Sequence, residues 1–160
     1  VPYVDSNSGS PLVAGDGIDL LTAMYEEQRN ELKALAPGEK IFLVSGNVFH
    51  QYEKDLREGS INSSAYTMNV QDGGLGVKFQ NIEVRPMWDW EQYAAQYLGV
   101  QNSNLAVLTS KENLVVATDE ENQDNNLDVW YDRDSELNKV RSRFRLGFNY
   151  KLEEFFVAAF

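Results

Sequence analysis

The 160-residue chain contains no cysteine and only one histidine, His50. Without cysteine it can form neither disulfides nor thiolate metal sites, and a single histidine excludes a multi-histidine metal centre. No apolar run approaches the ~20 residues that a membrane-spanning helix needs, so no membrane span is predicted. Basic residues are also scarce, because 14 lysines and arginines are set against 25 acids, a net charge of −11. Long-range repulsion therefore disfavours general binding to nucleic acid or to anionic membranes.

What the chain does have is the composition of a folded domain, with 42% hydrophobic and 12% aromatic residues. Its most regular stretch is residues 127–150. There Lys139, Arg141, Arg143 and Arg145 fall on every other position, and Val140, Ser142, Phe144 and Leu146 take the alternate positions. A period of two predicts a β-strand with the cations on one face.

Residues 127–134 alternate in the same way, so the whole stretch predicts a long antiparallel hairpin with a four-residue turn at 135–138. The register expected on its ionic face is Asp134 opposite Lys139, Asp132 opposite Arg141, Trp130 opposite Arg143 and Asp128 opposite Arg145. The apolar face pairs Tyr131 with Ser142, Val129 with Phe144 and Leu127 with Leu146. An acid or an indole opposite each cation favours ion pairing within or between subunits over nucleic-acid binding.

The rest of the chain predicts helices on a mostly antiparallel sheet. A Ser/Gly/Asn/Pro-rich segment, 1–16, is expected to be a linker. Helices are predicted at 18–35, ended by Pro37-Gly38, at 47–58 with Ser45 as N-cap, and at 88–98 with Gly99 after it. Strands are predicted at 40–44, 66–70, 75–79, 82–84, 105–108, 114–117 and 155–160, with a glycine turn at 71–74 and Pro86 stopping the ladder.

Three motifs invite a chemical interpretation, and each has a simpler one. The acidic loop 119–128 lacks the glycine and the glutamate that a calcium-binding EF-hand loop requires, so a solvated loop over 118–126 is expected and no metal site is predicted. His50 has no serine or cysteine nucleophile motif beside it, so a surface or packing role is expected and not catalysis. The carboxylates of Glu83, Asp89 and Glu91 lie near Trp88 and Trp90, as acids and aromatic platforms do in glycosidases, but the sequence does not give their separation.

Four segments follow one another in the second half of the chain: 104–119 (NLAVLTSKENLVVATD), 129–132 (VWYD), 140–148 (VRSRFRLGF) and 154–157 (EFFV). In this order they resemble the C-terminal part of the major capsid proteins of tailed bacteriophages. IFLVS at 41–45 followed by VFHQYEKDL at 48–56 is similar to a strand and helix of that family's axial domain.

The resemblance implies an α+β chain of the Hong Kong 97-like capsid fold with about three helices. Residues 17–117 would form an axial-domain-like region, and 118–160 would supply a hairpin of the peripheral-domain sheet and a closing strand. The N-terminal arm, extended loop and long spine helix of the family do not occur here, and the chain begins with Val1-Pro2 and not with Met. A C-terminal fragment is therefore expected.

The function implied is that of a non-enzymatic shell protein that assembles with itself into hexamers and pentamers, without a cofactor. It would be made in the bacterial cytoplasm, join the virion, enclose DNA without binding it specifically, and allow contacts with other virion proteins. An encapsulin-like compartment protein is the alternative of the same class, and a carbohydrate-binding or hydrolytic module using Trp88 and Trp90 is the alternative of another class. The expected subunit-interface residues are Trp88, Trp90, Tyr93, Tyr97, Asp128, Trp130, Asp132, Arg141, Arg143 and Arg145.

Overall fold

The computed structural model describes residues 2–7, 9–58, 68–69, 76–118, 127–142 and 146–160. The chain divides into two compact units. The first unit contains Val1–Asn113 and Leu152–Phe160, and the second contains Leu114–Lys151. The expected division at residue 117 is therefore displaced by a few residues, and the closing strand belongs to the first unit and not with the hairpin.

The described strands follow the predicted α+β pattern. In chain order they are β1 (Tyr3–Val4), β2 (Lys40–Ser45), β3 (Met68–Asn69), β4 (Gly76–Phe79), β5 (Ile82–Met87), β6 (Ala106–Ser110), β7 (Leu114–Thr118), β8 (Leu127–Asp132), β9 (Leu137–Ser142), β10 (Leu146–Tyr150) and β11 (Phe156–Ala159). The helices are α1 (Asp16–Glu26), α2 (Asn30–Lys33), α3 (Gly46–Glu58) and α4 (Trp90–Tyr93).

The first unit is built on a seven-stranded sheet with the order β1-β11-β6-β2-β5-β4-β3. Its neighbours are antiparallel except for the parallel pairs β1/β11 and β2/β5. Tyr3 and Val4 pair with Ala158 and Ala159. The N-terminal segment predicted to be a linker therefore adds an edge strand to the sheet.

The core lies between the centre of this sheet and helices α1 and α3. β2 is a short apolar run in mid-sheet, and its Phe42 and Val44 are fully buried. Phe79 of β4 meets the rings of Phe42 and Tyr52 edge-on, with centroids 5.7 and 6.2 Å apart. The amphipathic pattern of α3 buries Tyr52 against the sheet, as its spacing predicts.

The single helix predicted over 18–35 is wrong, because the chain leaves the helix after Glu26 and re-enters one at Asn30. Arg29 between them is extended, with ψ 161°. The buried Gln28 side chain donates a hydrogen bond to the Tyr25 carbonyl at 2.7 Å and accepts one from Lys40 Nζ at 3.0 Å. Gln28 thus satisfies a carbonyl at the end of α1, where the helix leaves carbonyls without partners.

The cap predicted for α3 is also wrong. The Ser45 hydroxyl is buried and finds no hydrogen-bond partner among the described residues, the first turn of α3 included, so it does not cap the helix. Instead the backbone N–H of Asn47 donates to the Glu91 carboxylate, which comes from α4. A side chain that is distant in sequence therefore satisfies one of the first N–H groups of this helix.

Pro86 does not stop its strand. β5 continues to Met87, with Pro86 and Met87 opposite Val44 and Ser45 of the parallel strand β2. On its other side β5 pairs with β4 only through Ile82–Val84, so Pro86 lies beyond the last residue that needs a donor towards β4. Further along, α4 continues as a π-helical turn, Ala94–Leu98, and Gly99 ends it at φ 68°, which confirms the predicted glycine cap. The glycine turn at 71–74 lies outside the described residues.

The chain leaves the first unit after Asn113, which follows β6, and returns to it at Leu152, shortly before β11. The Asn113 side chain links these two positions. Its buried amide donates to the Leu152 carbonyl at 3.0 Å and accepts from the Leu152 N–H at 2.9 Å. It also donates to the Thr109 hydroxyl at 3.2 Å. Residues 113 and 152 are therefore held side by side.

The second unit contains two two-stranded antiparallel sheets, β7 with β10 and β8 with β9. The single long strand predicted over 139–150 is wrong: β9 ends at Ser142, and β10 pairs with β7 and not with β8. Residues 143–145, with Arg143, Phe144 and Arg145, lie outside the described residues, as does the acidic segment 119–126.

Candidate functional site

The β8–β9 ribbon keeps the predicted faces but not the predicted register. Its turn occupies residues 133–136 and not 135–138, and this moves each partner by four residues. Asp128 is opposite Arg141 and Trp130 is opposite Lys139, while on the other face Val129 is opposite Val140, Tyr131 opposite Asn138 and Leu127 opposite Ser142. Because four is an even number, the cations still share a face with the acids and the indole.

Asp132 explains why the turn begins where it does. Its carboxylate accepts hydrogen bonds from the Asp134 N–H at 3.1 Å and the Ser135 hydroxyl at 2.9 Å, and it pairs with Lys139 across the ribbon. The hydrogen bond from Lys139, followed by those from Ser135 and Asp134, holds the pKa of Asp132 below its ordinary value. An Asp that bonds the backbone two residues on is a turn former, so Asp132 fixes the register.

The second unit exposes large apolar side chains in both of its sheets. Val129, Tyr131 and Val140 on one face of the ribbon are exposed, and so are Leu137 and Trp130 on the ionic face. On the β7–β10 pair the exposed apolar residues share one face, with Phe148 opposite Val116 and Tyr150 opposite Leu114. Phe148 is 76% exposed. Two-stranded sheets are marginal by themselves in water, so such faces are suited to contact with another surface.

The first unit carries a second apolar surface around α4. Tyr93 and Tyr97 stack at 6.0 Å with 16° between their planes, and they are 58% and 71% exposed. With Trp90 they border an open groove of about 360 Å³, whose other walls are Ala94, Leu105, Ala106, Val107, Ala158, Ala159 and Phe160. The described side chains that line it are aliphatic or aromatic, and such a lining favours apolar packing.

Trp88 does not share this surface. It packs against Phe49 with ring centroids 5.9 Å apart and against His50 at 5.4 Å. The structure thus brings Trp90, Tyr93 and Tyr97 together and places Trp88 in the neighbourhood of α3. The expected cluster of four aromatic residues is divided, because Trp88 precedes α4 and follows the end of β5.

Two of the three acids near these tryptophans, Glu83 and Glu91, are engaged in structural contacts, while Asp89 precedes α4 without a side-chain hydrogen bond to that helix. Glu83 pairs with Arg85 at 2.8 Å and with Lys111 at 3.1 Å. Partial burial would raise the pKa of Glu83, but the hydrogen bonds and charges of Lys111 and Arg85 outweigh it and lower that pKa. The Glu91 carboxylate accepts a hydrogen bond from the Asn47 N–H. A carboxyl with a lowered pKa is a poor general acid, so this arrangement lends no support to paired-acid hydrolysis.

The remaining candidate, His50, is an exposed side chain on α3. Its Nδ1 lies 4.0 Å from Glu53, which also pairs with Arg57. Within the part of the chain that the structure describes, no three His, Asp or Glu side chains are grouped so as to hold a metal ion. No helix in the same described ranges is both long and apolar enough to cross a membrane.

Most of the residues that line the groove were not predicted from the sequence. Ala158, Ala159 and Phe160 come from β11 and the residue after it, and Leu105, Ala106 and Val107 come from the start of β6. The signal in the sequence was only that both segments are apolar and short. That their ends meet beside α4 follows from the pairing of Ala159 with Ala106, which requires the sheet order.

Comparison with known proteins finds a likeness among solved structures. No protein-family model matches the chain, and no curated protein matches it. Among solved structures, a chain from Mycobacterium phage Che8 is similar with a TM-score of 0.61 and 12% sequence identity. The similarity covers 99% of this chain and 52% of that chain, so this chain spans about half the length of its structural neighbour. At this identity the likeness is one of fold.

Proposed function

We propose that this chain is part of a self-assembling shell protein of a tailed bacteriophage or prophage, with a structural and not an enzymatic role. The observation that carries the proposal is the likeness of almost the whole chain to the fold of a phage chain. The resemblance of its segments to major capsid proteins supplies the specific role. The proposal includes two further points: the chain binds other copies of itself, and it is located in the virion.

The exposed apolar surfaces support assembly. Burial against a neighbour would stabilise Phe148 and Val116 by at most roughly 1.5–3 kcal/mol each, and Tyr93 and Tyr97 expose further aromatic area. The surfaces lie in both units, on the β7–β10 pair and around α4. A subunit that is surrounded by neighbours on several sides needs more than one contact surface.

The charge distribution fits a coat that encloses DNA without gripping it. Of the net charge of −11, the first unit carries 17 acids and 8 lysines and arginines, or −9, and the second carries 8 acids and 6 lysines and arginines, or −2. Repulsion of phosphates by such a chain favours enclosure over specific binding.

Assembly of the full-length natural protein tests the proposal directly. Sedimentation velocity and negative-stain electron microscopy of the purified protein are expected to show closed shells or rings of five and six subunits. A protein that sediments as a monomer over the whole accessible concentration range, in low and in physiological salt, would overturn the proposal.

A further inference from the structure

The β8–β9 ribbon has an outer edge on each strand that no other described strand covers. Among the described residues, these strands form a two-stranded sheet, so each strand has a partner on one side and unpaired backbone groups on the other. Free edges pair readily with another strand unless charge, proline or a bulge prevents it. The described part of β8 and β9 contains no proline.

The two edges differ in charge on the ionic face. β8 contributes Asp128, Trp130 and Asp132 to that face, and β9 contributes Lys139 and Arg141. Within the described ribbon the ion pair is Asp132 with Lys139. Asp128 and Arg141 are opposite each other in register but form no ion pair in the described chain, so their charges are available to a neighbour.

Charge decides which edges can meet. Pairing of two β8 edges would place aspartates of the two copies side by side. Pairing of two β9 edges would place Lys139 and Arg141 beside the same cations of the other copy. Like charges directly opposite are destabilising, whereas opposite charges are stabilising. Joining β9 of one copy to β8 of the next alternates the signs along the row.

We infer that, within the assembly proposed above, the free edge of β9 pairs antiparallel with the free edge of β8 in the next copy, continuing the sheet from subunit to subunit. In the register of the ribbon itself, Arg141 lies beside Asp128 of the next copy and Lys139 beside its Trp130, a cation against an indole face. On the other face Val140 lies beside Val129 of the next copy. The inference rests on the proposed function.

The contact is head-to-tail, because the two surfaces that meet are different. Head-to-tail contacts generate rings when the rotation between copies closes, and a symmetric contact of identical edges would end at a dimer. The distribution of charge over two strands thus selects ring-forming contacts over dimers.

A charge exchange tests this contact without breaking the ribbon. The double variant Asp128→Arg with Arg141→Asp keeps opposite charges facing each other inside the ribbon and between two exchanged copies. Between an exchanged copy and a wild-type copy, however, it places Arg beside Arg or Asp beside Asp. Each chain is therefore expected to assemble normally by itself, while co-expressed chains segregate.

Native mass spectrometry of rings from co-expressed full-length chains of different mass measures the outcome. Contacts between wild-type and exchanged copies are expected roughly fivefold below random mixing at low salt, since one exposed pair is worth up to about 1 kcal/mol. Mixing is expected to approach random in high salt. Random mixing at low salt would overturn the contact while leaving assembly intact, and enrichment of mixed contacts would indicate β8–β8 or β9–β9 pairing instead.

A second variant covers the case in which the exchanged chain does not fold. Asp128→Asn with Arg141→Gln removes both charges, so its assembly is expected to lose much of the salt dependence shown by the wild type. An unchanged salt dependence would overturn the contact. Absence of any oligomer of the wild-type protein would overturn the proposed function and this contact together.

Discussion

Asp55 caps a helix that begins almost forty residues before it: its Oδ2 accepts a hydrogen bond from the Gly17 N–H at 3.1 Å. Its Oδ1 accepts from the Gly15 N–H at 2.9 Å and from the Gln51 side chain at 2.7 Å. A carboxylate from α3 thus satisfies N–H groups at the start of α1, where negative charge is favoured. This contact ties the two helices that cover the core together at one point.

Replacing Asp55 by alanine is expected to destabilise the fold by about 1–3 kcal/mol, because two backbone N–H groups lose their acceptor at a site where Asp55 itself is buried. Urea denaturation of the unassembled chain measures the change. Asp19→Ala is the matched control, since Asp19 is an exposed acid in the first turn of the same helix. Equal losses in the two variants would show that charge at the helix end, and not the hydrogen bonds of Asp55, is what matters.

Gly17 permits this close approach. A Cβ at Gly17 would lie 2.6 Å from the Tyr52 nitrogen and 2.9 Å from Asp55 Oδ2. Gly17→Ala is therefore expected to cost roughly 1–3 kcal/mol through overpacking, although alanine is the better helix former. The control is Gly38→Ala, because a Cβ there meets nothing within 4 Å. A Gly17→Ala chain with unchanged thermal and urea midpoints would contradict the packing described.

The ion pairs of Glu83 predict a pH dependence. Folding lowers the pKa of Glu83 below its ordinary value of 4.5, so its contribution to stability is present above that value and is lost as the pH falls through the folded-state pKa. The stability gap between wild type and Glu83→Gln is expected to be largest near neutral pH and to shrink in acid. Urea titrations across this range measure it. The exposed Glu112, which lies outside this network, supplies the control Glu112→Gln, whose gap should not follow the same course.

The apolar face of β7 and β10 predicts a variant that separates folding from assembly. Phe148→Ser removes a side chain that is 76% exposed, so the stability of the unassembled chain is expected to change by no more than about 0.5 kcal/mol. If that face meets a neighbour, particle yield should fall sharply. Val13→Ser removes an apolar side chain of similar exposure from the first unit, and it should leave the yield unchanged. Normal particles from Phe148→Ser would exclude this face from the contacts.

The sequence predicted those parts of the fold in which neighbouring residues decide the outcome. The apolar runs of β2 and β11 bury as strands, and α3 presents Tyr52 at helical spacing to the core. It failed where a distant side chain decides. Neither the Glu91 cap of α3 nor the Asp55 cap of α1 leaves any trace within the segment that it completes.

The ribbon shows the same limit on a smaller scale. Alternation predicts which residues share a face, and the structure keeps those faces. The register depends in addition on where the turn starts, and Asp132 decides this by bonding Asp134 and Ser135. Several turn-forming residues follow one another between Asp132 and Asn138, so alternation alone left more than one even register equally acceptable.

The two hydrogen bonds between Asn113 and Leu152 bear on how the length and sequence of the second unit can change. The segment from Leu114 to Lys151 leaves and rejoins the first unit at two adjacent points, which one buried amide fastens together. Everything between those points behaves as an insertion in the connection from β6 to β11. Such a guest segment can lengthen, shorten or be exchanged at small entropic cost without disturbing its host. The seven-stranded sheet could thus remain constant while the segment that it carries is remodelled for a different neighbour.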